Sequence, residues 1–410
     1  MTTLDLFAPE MRRRIHLRPG RDKALKNRHP WVFDGAIARE EGNRDAAIAD
    51  VLSSEGVRLT SGFYSAKSQI RCRGISFSDD LTPESLRAKI ATAVRARAHL
   101  LGGDTDSVRL VHSEGDGVSG LVADFYAGTL VVEITSAGLE KLRDFVVDAL
   151  RDAARELAPV FAVMLENDLG ARRLEGLSLV DEWIEGGEVG GERETLIREN
   201  GLRFVVQPGA GQKTGFFLDQ RGNRAMVRAI ARGRRVLNVF SYTGGFGVSA
   251  AAGGAATVEE VDVSAPAIVL ARRNHELNPS GATLELVTAD AFEHLRKRRA
   301  EGRAYDLVVV DPPAFAKSKG DVDRAARGYK DINLQAFNLV APGGTLVTFS
   351  CSGHVSSDLF QKIVFSAAAD ARRDASIVRR LGAGEDHPVS IYCPEGEYLK
   401  GLVLRVGEKN

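Results

Sequence analysis

Read for its apolar and polar positions, the chain changes rhythm twice. Residues 46–52, 58–65 and 69–77 are short apolar stretches punctuated by Gly56, Gly62 and Gly74, a pattern that predicts closely spaced strands in a small β-rich module ending near residue 77. Residues 83–101 instead place Leu86, Ile90, Ala93, Val94 and Ala98 near helical spacing, with Thr82 as the candidate cap. Strand-like segments follow across 109–135 and turn at Gly115-Asp116-Gly117 and Ala127-Gly128; a second helix is predicted over 141–157 and a strand over 161–166. Beyond residue 192 strands and helices alternate, with strands at 236–240, 256–261, 284–288, 307–310 and 345–350 and helices at 247–252 and 265–277. That succession predicts a parallel, doubly wound α/β domain. With a boundary at the glycine- and acid-rich stretch 186–191, the chain divides into a β-rich domain 1–80, a mixed α/β domain 81–190 and an α/β domain 191–410.

A length of 410 residues gives each part room for a core, and 44% hydrophobic with 27% charged residues excludes disordered and collagen-like classes. No run of about 18 apolar residues occurs, and the first residues lack an apolar stretch behind a basic patch, so neither membrane insertion nor secretion is expected. Cys72, Cys351 and Cys393 are too few and too scattered for a disulfide framework or a cysteine-rich zinc site, and His275 and His294 fall on helices without paired ligands, so no metal is proposed. A reducing, cytoplasmic setting fits. The 55 basic residues balance the 55 acidic ones, so attraction to nucleic acid has to come from local clustering. Residues 11–30 supply it, with eight Lys and Arg against Asp22 alone. Arg12, Arg13, Arg14, Arg18, Lys23 and Arg28 are candidates for phosphate contacts, the bland alternative being a solvated face or loose tail. Either a monomer or a homodimer is compatible with this composition.

Four strand–helix junctions of the last domain carry candidate chemistry. An apolar strand runs into Gly244-Gly245-Phe246-Gly247 and a helix of small residues; the glycines permit a sharp turn and close approach to a ligand, although the G-x-G-x-x-G spacing of a dinucleotide site is missing. The next strand ends in Glu259-Glu260-Val261-Asp262, where a carboxylate can accept hydrogen bonds from both hydroxyls of a ribose. Asp290 follows the third strand, in place for an adenine amino group, and Asp311-Pro312-Pro313-Ala314-Phe315 follows the fourth. Taken singly, each glycine or acid reads equally well as a tight turn or a helix cap. Ligands of open α/β sheets bind outside the carboxyl ends of the strands, so the four junctions can converge on one crevice.

With those junctions in view, FSYTGGFG at 240–247, VEEVDVS at 258–264 and DPPAF at 311–315 resemble the S-adenosylmethionine-dependent methyltransferases of class I fold. More narrowly, GQKTGFFLDQRGNR at 211–224, DPPAFAKSK at 311–319 and FSCSGHVSSDLF at 349–360 are similar to the RlmI-type enzymes that methylate cytosine C5 in bacterial large-subunit (23S) ribosomal RNA. HPWVFDGAI at 29–37 and GFYSAKSQIRCRGIS at 62–76 resemble that family's PUA module, a small β-rich RNA-binding fold. The resemblance implies a Rossmann-like methyltransferase domain behind an N-terminal PUA domain and a mixed α/β middle domain, with S-adenosylmethionine as cofactor and ribosomal RNA, naked or partly assembled, as partner. It implies that Lys213, Thr214, Phe216 and Asp219 close over the methionine end of the cofactor, assisted by Gln220 and Arg221. Asn238, Phe240, Tyr242, Thr243, Gly244, Gly245, Phe246, Asp262, Asp290 and Asp311 complete the expected cofactor site.

Cytosine C5 is a weak nucleophile, and a cysteine thiolate that adds to C6 loads electron density onto it. Cys351 is the candidate, because it follows a buried strand at its carboxyl end, where the crevice lies; an inert buried cysteine is the alternative. Asp311 would hydrogen-bond or protonate N3 as the thiolate adds, Pro312 and Pro313 would give a rigid backbone beside the base, and Phe315 would stack on a flipped-out base or else belong to the core. His354 is near enough in sequence to tune the thiol. Many RNA cytosine-C5 methyltransferases carry a second cysteine where this chain has Ala314, so no residue is assigned to removing the C5 proton. Two other readings stay open: a methyltransferase acting on a guanine nitrogen with Cys351 structural, and an RNA-binding assembly factor without turnover.

Overall fold

The computed structural model describes residues 3–186, 194–209, 214–316 and 318–409. Within them the chain forms two compact units: one of residues 1–198, 206–218 and 385–396, the other of residues 199–205, 219–384 and 397–410.

The first unit holds a six-stranded sheet in the order Trp31–Phe33, Ile70–Ser76, Arg58–Tyr64, Ile48–Leu52, Arg13–Leu17 and Ile37–Gly42. All of its pairings are antiparallel except Arg13–Leu17 with Ile48–Leu52. It also holds a five-stranded sheet ordered Glu182–Glu185, Ala162–Leu165, Thr129–Ile134, Leu121–Tyr126 and Ser107–His112. The helix Pro83–Arg95 begins as the sequence predicts: the Thr82 hydroxyl accepts from the Ser85 amide and the Ser85 hydroxyl from the Thr82 amide, a reciprocal cap with Pro83 at the first helical position. Its apolar face, Leu86, Ile90, Ala93 and Val94, packs in one buried cluster with Ile48, Phe63 and Ile75 from the six-stranded sheet and Val108 and Leu130 from the five-stranded one. The six-stranded sheet also has a second buried cluster of its own, with Ile15, Leu17, Leu25, Val32, Val51 and Cys72, made wholly of residues before 80. The expected boundary at 186–191 falls mostly outside the described residues.

The second unit is built on a seven-stranded sheet ordered Thr283–Thr288, Thr257–Asp262, Arg235–Val239, Tyr305–Val310, Val340–Ser350, Lys400–Lys409 and Arg373–Leu381. The five strands from Thr283–Thr288 to Val340–Ser350 run parallel, and Lys400–Lys409 is antiparallel to both of its neighbours. Burial of Val236, Leu237, Val239 and Val308 to Val310 at 0% exposure explains why these strands read as continuous apolar runs, since helices cover both faces. The helix Ala265–Leu277 has the bounds its periodicity predicts, with the Ser264 hydroxyl capping it. Strand order reverses at Arg235–Val239, whose neighbours lead away on either side; the crevice of an open sheet forms there, at the carboxyl ends. A groove of about 840 Å³ between the helix Ser357–Asp370 and the edge strand Arg373–Leu381 contains none of the residues that carry the candidate chemistry. Among the described residues no helix is long and apolar enough to cross a membrane.

Candidate active site

The loop after Arg235–Val239 is conformationally expensive. Phe240 and Tyr242 hold positive φ angles of 61° and 48°, and Gly244 follows at 81°. Left-handed backbone at two bulky residues costs on the order of 1 to 3 kcal/mol each and persists only where surrounding structure imposes it. Here Asp262 contributes: its carboxylate, at the end of the neighbouring strand, accepts from the amides of Tyr242 at 2.8 Å and Ser264 at 2.9 Å. A carboxylate has about four acceptor sites, so two remain for the hydroxyls of a ribose. The helix Gly245–Ala252 then starts with its amides facing this loop.

The two acids before Asp262 are structural. Glu260, wholly buried, accepts from the Asn238 amide at 2.7 Å and pairs with His275 at 2.8 Å. A Cβ at position 247 would lie 1.8 Å from its Oε1, so Gly247 is needed to leave it room. Glu259 pairs with His294 at 2.6 Å and accepts from Arg298 at 2.8 Å and from the Tyr305 hydroxyl. Burial alone would raise the Glu259 carboxyl, but hydrogen bonds from His294, Tyr305 and Arg298 outweigh it and hold the group below its ordinary value.

Around that loop, Asn238 Oδ1, Ser241 Oγ and Thr243 Oγ1 are buried without a hydrogen-bond partner among the described residues. Buried polar atoms are rarely left so, and these three, one at the end of the strand Arg235–Val239 and two in the loop after it, form a cradle for a polar ligand. Phe246, expected in the same cradle, is 6% exposed and stacks at 5.6 Å on Phe349, which makes it core. Asp290 caps the helix Ala291–Ala300 through the Glu293 amide at 3.0 Å while remaining exposed. Asp219 is buried and accepts from the Tyr398 hydroxyl at 2.6 Å.

At the fourth junction Asp311 is half-buried, and the Gln220 amide donates to its Oδ2 at 2.9 Å. Gln220 is in turn held by Asn223, whose amide donates to Gln220 Oε1 at 2.6 Å. Cys351, half-buried at the end of Val340–Ser350, directs its thiol to the carbonyl of Pro312 at 3.7 Å, which sets sulfur beside the Asp311-Pro312 turn. Ser352 ties the same two loops: its hydroxyl accepts from the Ala316 amide at 3.2 Å and pairs with Tyr329 at 2.9 Å. Pro312 is buried and Pro313 exposed. Sequence reasoning had no signal for Tyr329 or Ser352.

Several expectations need correction. Phe315 packs at 4.6 Å on Tyr329, with Phe240 and Phe292 at 6.5 and 6.3 Å, so its ring belongs to an aromatic cluster and is no free stacking platform. Thr214, expected at the cofactor, is 0% exposed in the first unit, where its hydroxyl donates to Asp124 and pairs with Tyr126 at 2.7 Å. Phe216 is buried in the same unit, its carbonyl accepting from Tyr126 at 3.2 Å. Lys213 lies outside the described residues. Arg12, expected at phosphate, is 4% exposed; its guanidinium pairs with Asp50 at 3.1 Å and donates to the carbonyls of Phe7 and Leu81 at 2.9 Å each. Arg13 is likewise engaged, with Glu40 at 3.1 Å and the Gly42 carbonyl at 2.9 Å. Arg14, Arg18, Lys23 and Arg28 are exposed.

His29, Cys393 and Glu395 place donor atoms of three metal-ligating types within 4.8 Å of one another. The imidazole pairs with Glu395 at 3.3 Å and accepts from the Trp31 amide, while burial, then Glu114 and Glu395, push the Cys393 thiol up to about 12. The trio is internally satisfied by these contacts.

A model of the S-adenosylmethionine-dependent methyltransferase family matches residues 109–390, and a PUA-like domain model matches residues 15–77. Proteins named ribosomal RNA large subunit methyltransferase I from Shewanella amazonensis and Aeromonas salmonicida are 43% and 44% identical to the chain over 400 residues, covering 96% and 95% of it and 99% and 98% of themselves. The chain belongs to this methyltransferase family. A solved methyltransferase structure in complex with SAH shares the fold, with a TM-score of 0.80 at 21% identity over 96% of this chain and 99% of its own. A Streptococcus mutans relative of the same kind gives 0.79, also at 21% identity and with 96% and 99% covered. S-adenosylmethionine is the methyltransferase's cofactor, and the residues present fit it: an acid for the ribose at Asp262, a helix N-terminus at Gly245, and the unpartnered polar atoms of Asn238, Ser241 and Thr243.

Proposed function

We propose that the protein methylates C5 of a cytosine in large-subunit (23S) ribosomal RNA through a covalent cysteine adduct, in the cytoplasm and on naked or partly assembled RNA. The observation that carries this reading is the Cys351 thiol at the carboxyl end of its strand, 3.7 Å from the Pro312 carbonyl and next to the Asp311 turn. The relatives' shared name supports the RNA class. When bound, the cofactor supplies an electrophilic methyl group to the activated carbon.

Cys351, as thiolate, adds to C6 of a flipped-out cytosine, and density shifts to C5. As the thiolate adds, Asp311, held by Gln220, passes a proton to N3 and so neutralises the charge that develops on the ring, and it takes the proton back as the adduct collapses. After methylation the C5 proton leaves to a base, and the C6–S bond breaks to return the thiolate. Asp262 orients the cofactor ribose, and Asn238, Thr243 and the Gly244-Gly245 turn hold its remaining polar groups. Asp290 and Asp219 serve the adenine and methionine ends. Arg14, Arg18, Lys23 and Arg28 contact phosphates, which position RNA without reading its sequence.

The test is incubation of the full chain with S-adenosylmethionine and RNA carrying 5-fluorocytidine. Fluorine at C5 cannot leave as a proton does, so the adduct accumulates and migrates as a protein–RNA band through Cys351. Methyl incorporation into unmodified ribosomal RNA without any trapped band would overturn the cysteine mechanism and favour transfer to a nitrogen, which needs no adduct.

A further inference from the structure

We propose that Lys400 is a positioning residue for Cys351, its ammonium holding the loop at 351–355 and favouring the thiolate form of the nucleophile. The inference rests on the cysteine-adduct reading above. Lys400 opens the C-terminal strand and stands opposite Ser350 in the antiparallel ladder, so it faces the residue immediately before Cys351. Its side chain is 6% exposed, and its Nζ donates to the carbonyls of Ser352, at 2.7 Å, and Val355. The two carbonyls lie in the loop that follows the thiol, the first of them on the residue next to Cys351.

Both acceptors are neutral. An ammonium taken out of water and served only by neutral dipoles is costly, and a buried charge is ordinarily paired. The loop does not need that charge to stay in place, because Ser352 is already anchored through its hydroxyl by Ala316 and Tyr329, both neutral. Two anions can match this cation, the exposed Glu397 and the Cys351 thiolate that the chemistry forms, and only the thiolate belongs to the loop that Lys400 holds. Burial pushes the Lys400 amine below its ordinary value, and the attraction of Cys351 and Glu397 works in the opposite direction. Among the described residues, the titratable groups around this pair include Glu397 before the strand, Tyr329 from the helix Val322–Leu339, Asp311 from the neighbouring strand end and the exposed His354 of the loop itself. In the step that Lys400 assists, the thiol proton passes to solvent and the freed sulfur electron pair forms the bond to C6.

The experiment follows alkylation of the Cys351 peptide by iodoacetamide against pH, by mass spectrometry, in the full-length protein and in Lys400→Met, Lys400→Gln and Lys400→Arg. Methionine removes charge and hydrogen bonds, glutamine keeps a donor without charge, and arginine keeps both. Met and Gln should each move the alkylation midpoint up by about one pH unit, an effect of about tenfold on the rate near neutrality. They should lower kcat about 10- to 100-fold while the KM for S-adenosylmethionine stays within about twofold, and Arg should restore most of both. If Lys400→Met does not fold, Lys400→Gln decides. An alkylation profile in the folded Gln variant that superimposes on the wild type overturns the proposal even where kcat falls. Wild-type protein that traps no 5-fluorocytidine RNA defeats the adduct reading instead, so the two failures are told apart.

Discussion

The basic segment at 12–28 and the strand–helix junction at 238–245 are both rich in polar groups, yet they dispose of them in opposite ways. Arg12 is buried with its guanidinium satisfied by Asp50, Phe7 and Leu81, so its charge stabilises the first unit and is unavailable to a partner. In the second unit, Asn238, Ser241 and Thr243 keep buried atoms for which the described protein offers no hydrogen bond, and the backbone beside them is held in a strained conformation. A satisfied polar group holds a fold together, whereas an unsatisfied one at a strained turn marks where a ligand completes the structure.

The largest effect is expected from Cys351→Ala, which should lower methylation by more than about 10³-fold while calorimetry finds cofactor affinity within about twofold, since the thiol serves only the base. Residual turnover near wild type would remove the nucleophile. Arg12→Met should next cost about 3 to 5 kcal/mol in urea unfolding, because it leaves Asp50 and two buried carbonyls without their cation; a loss confined to RNA affinity would return Arg12 to the phosphate surface. For Asp262→Ala we expect cofactor binding weaker by about 1 to 3 kcal/mol, or about 5- to 150-fold, and unchanged binding would contradict the ribose assignment.

Glu166 tests the comparison from inside the first unit, where its Oε2 lacks a hydrogen-bond partner among the described residues. Burial, then the charges of Glu133, Asp181 and Asp124, push its carboxyl up from 4.5 to about 9. The folded form therefore keeps its proton over a range in which the unfolded chain has lost it, and the group's contribution to stability is full below pH 4.5 and falls as pH rises towards 9. Glu166→Gln should remove that decline, raising stability at pH 8 by about 1 to 3 kcal/mol and leaving it unchanged at pH 4 in thermal melts. A wild-type pH profile in the variant would mean the carboxyl ionises normally. The smallest effect belongs to Arg18→Ala: stability within about 0.5 kcal/mol, with the slope of log affinity for RNA against log salt reduced by about one. An unchanged slope would take Arg18 out of the RNA contacts.

Much of the second unit was legible in the sequence because its signals are local. Short apolar runs gave the parallel strands, and small or polar residues at their ends gave Asp262, Asp290 and Asp311 as junction residues. Three things were not legible. The strand Arg13–Leu17 is hidden under its arginines, which mask an alternation that buries Ile15 and Leu17. Phe315 is ambiguous in sequence, since stacking on a base and packing on Tyr329 call for the same ring. Lys400 carries no local signal, because its meaning comes from the ladder that sets it against Ser350.

By itself the sequence determined the periodicities, the turns and the chemical types available at each strand end, since these depend on neighbours a few residues apart. Only the tertiary structure decided which charges are spent and which remain for a ligand. Arg12 is paired with Asp50 and hydrogen-bonded to the carbonyl of Leu81, both distant in sequence, and the Cys351 loop is held by Lys400 and Ala316. The cost of a buried polar group depends on whatever partner the fold brings to it, and no local pattern along the chain encodes that.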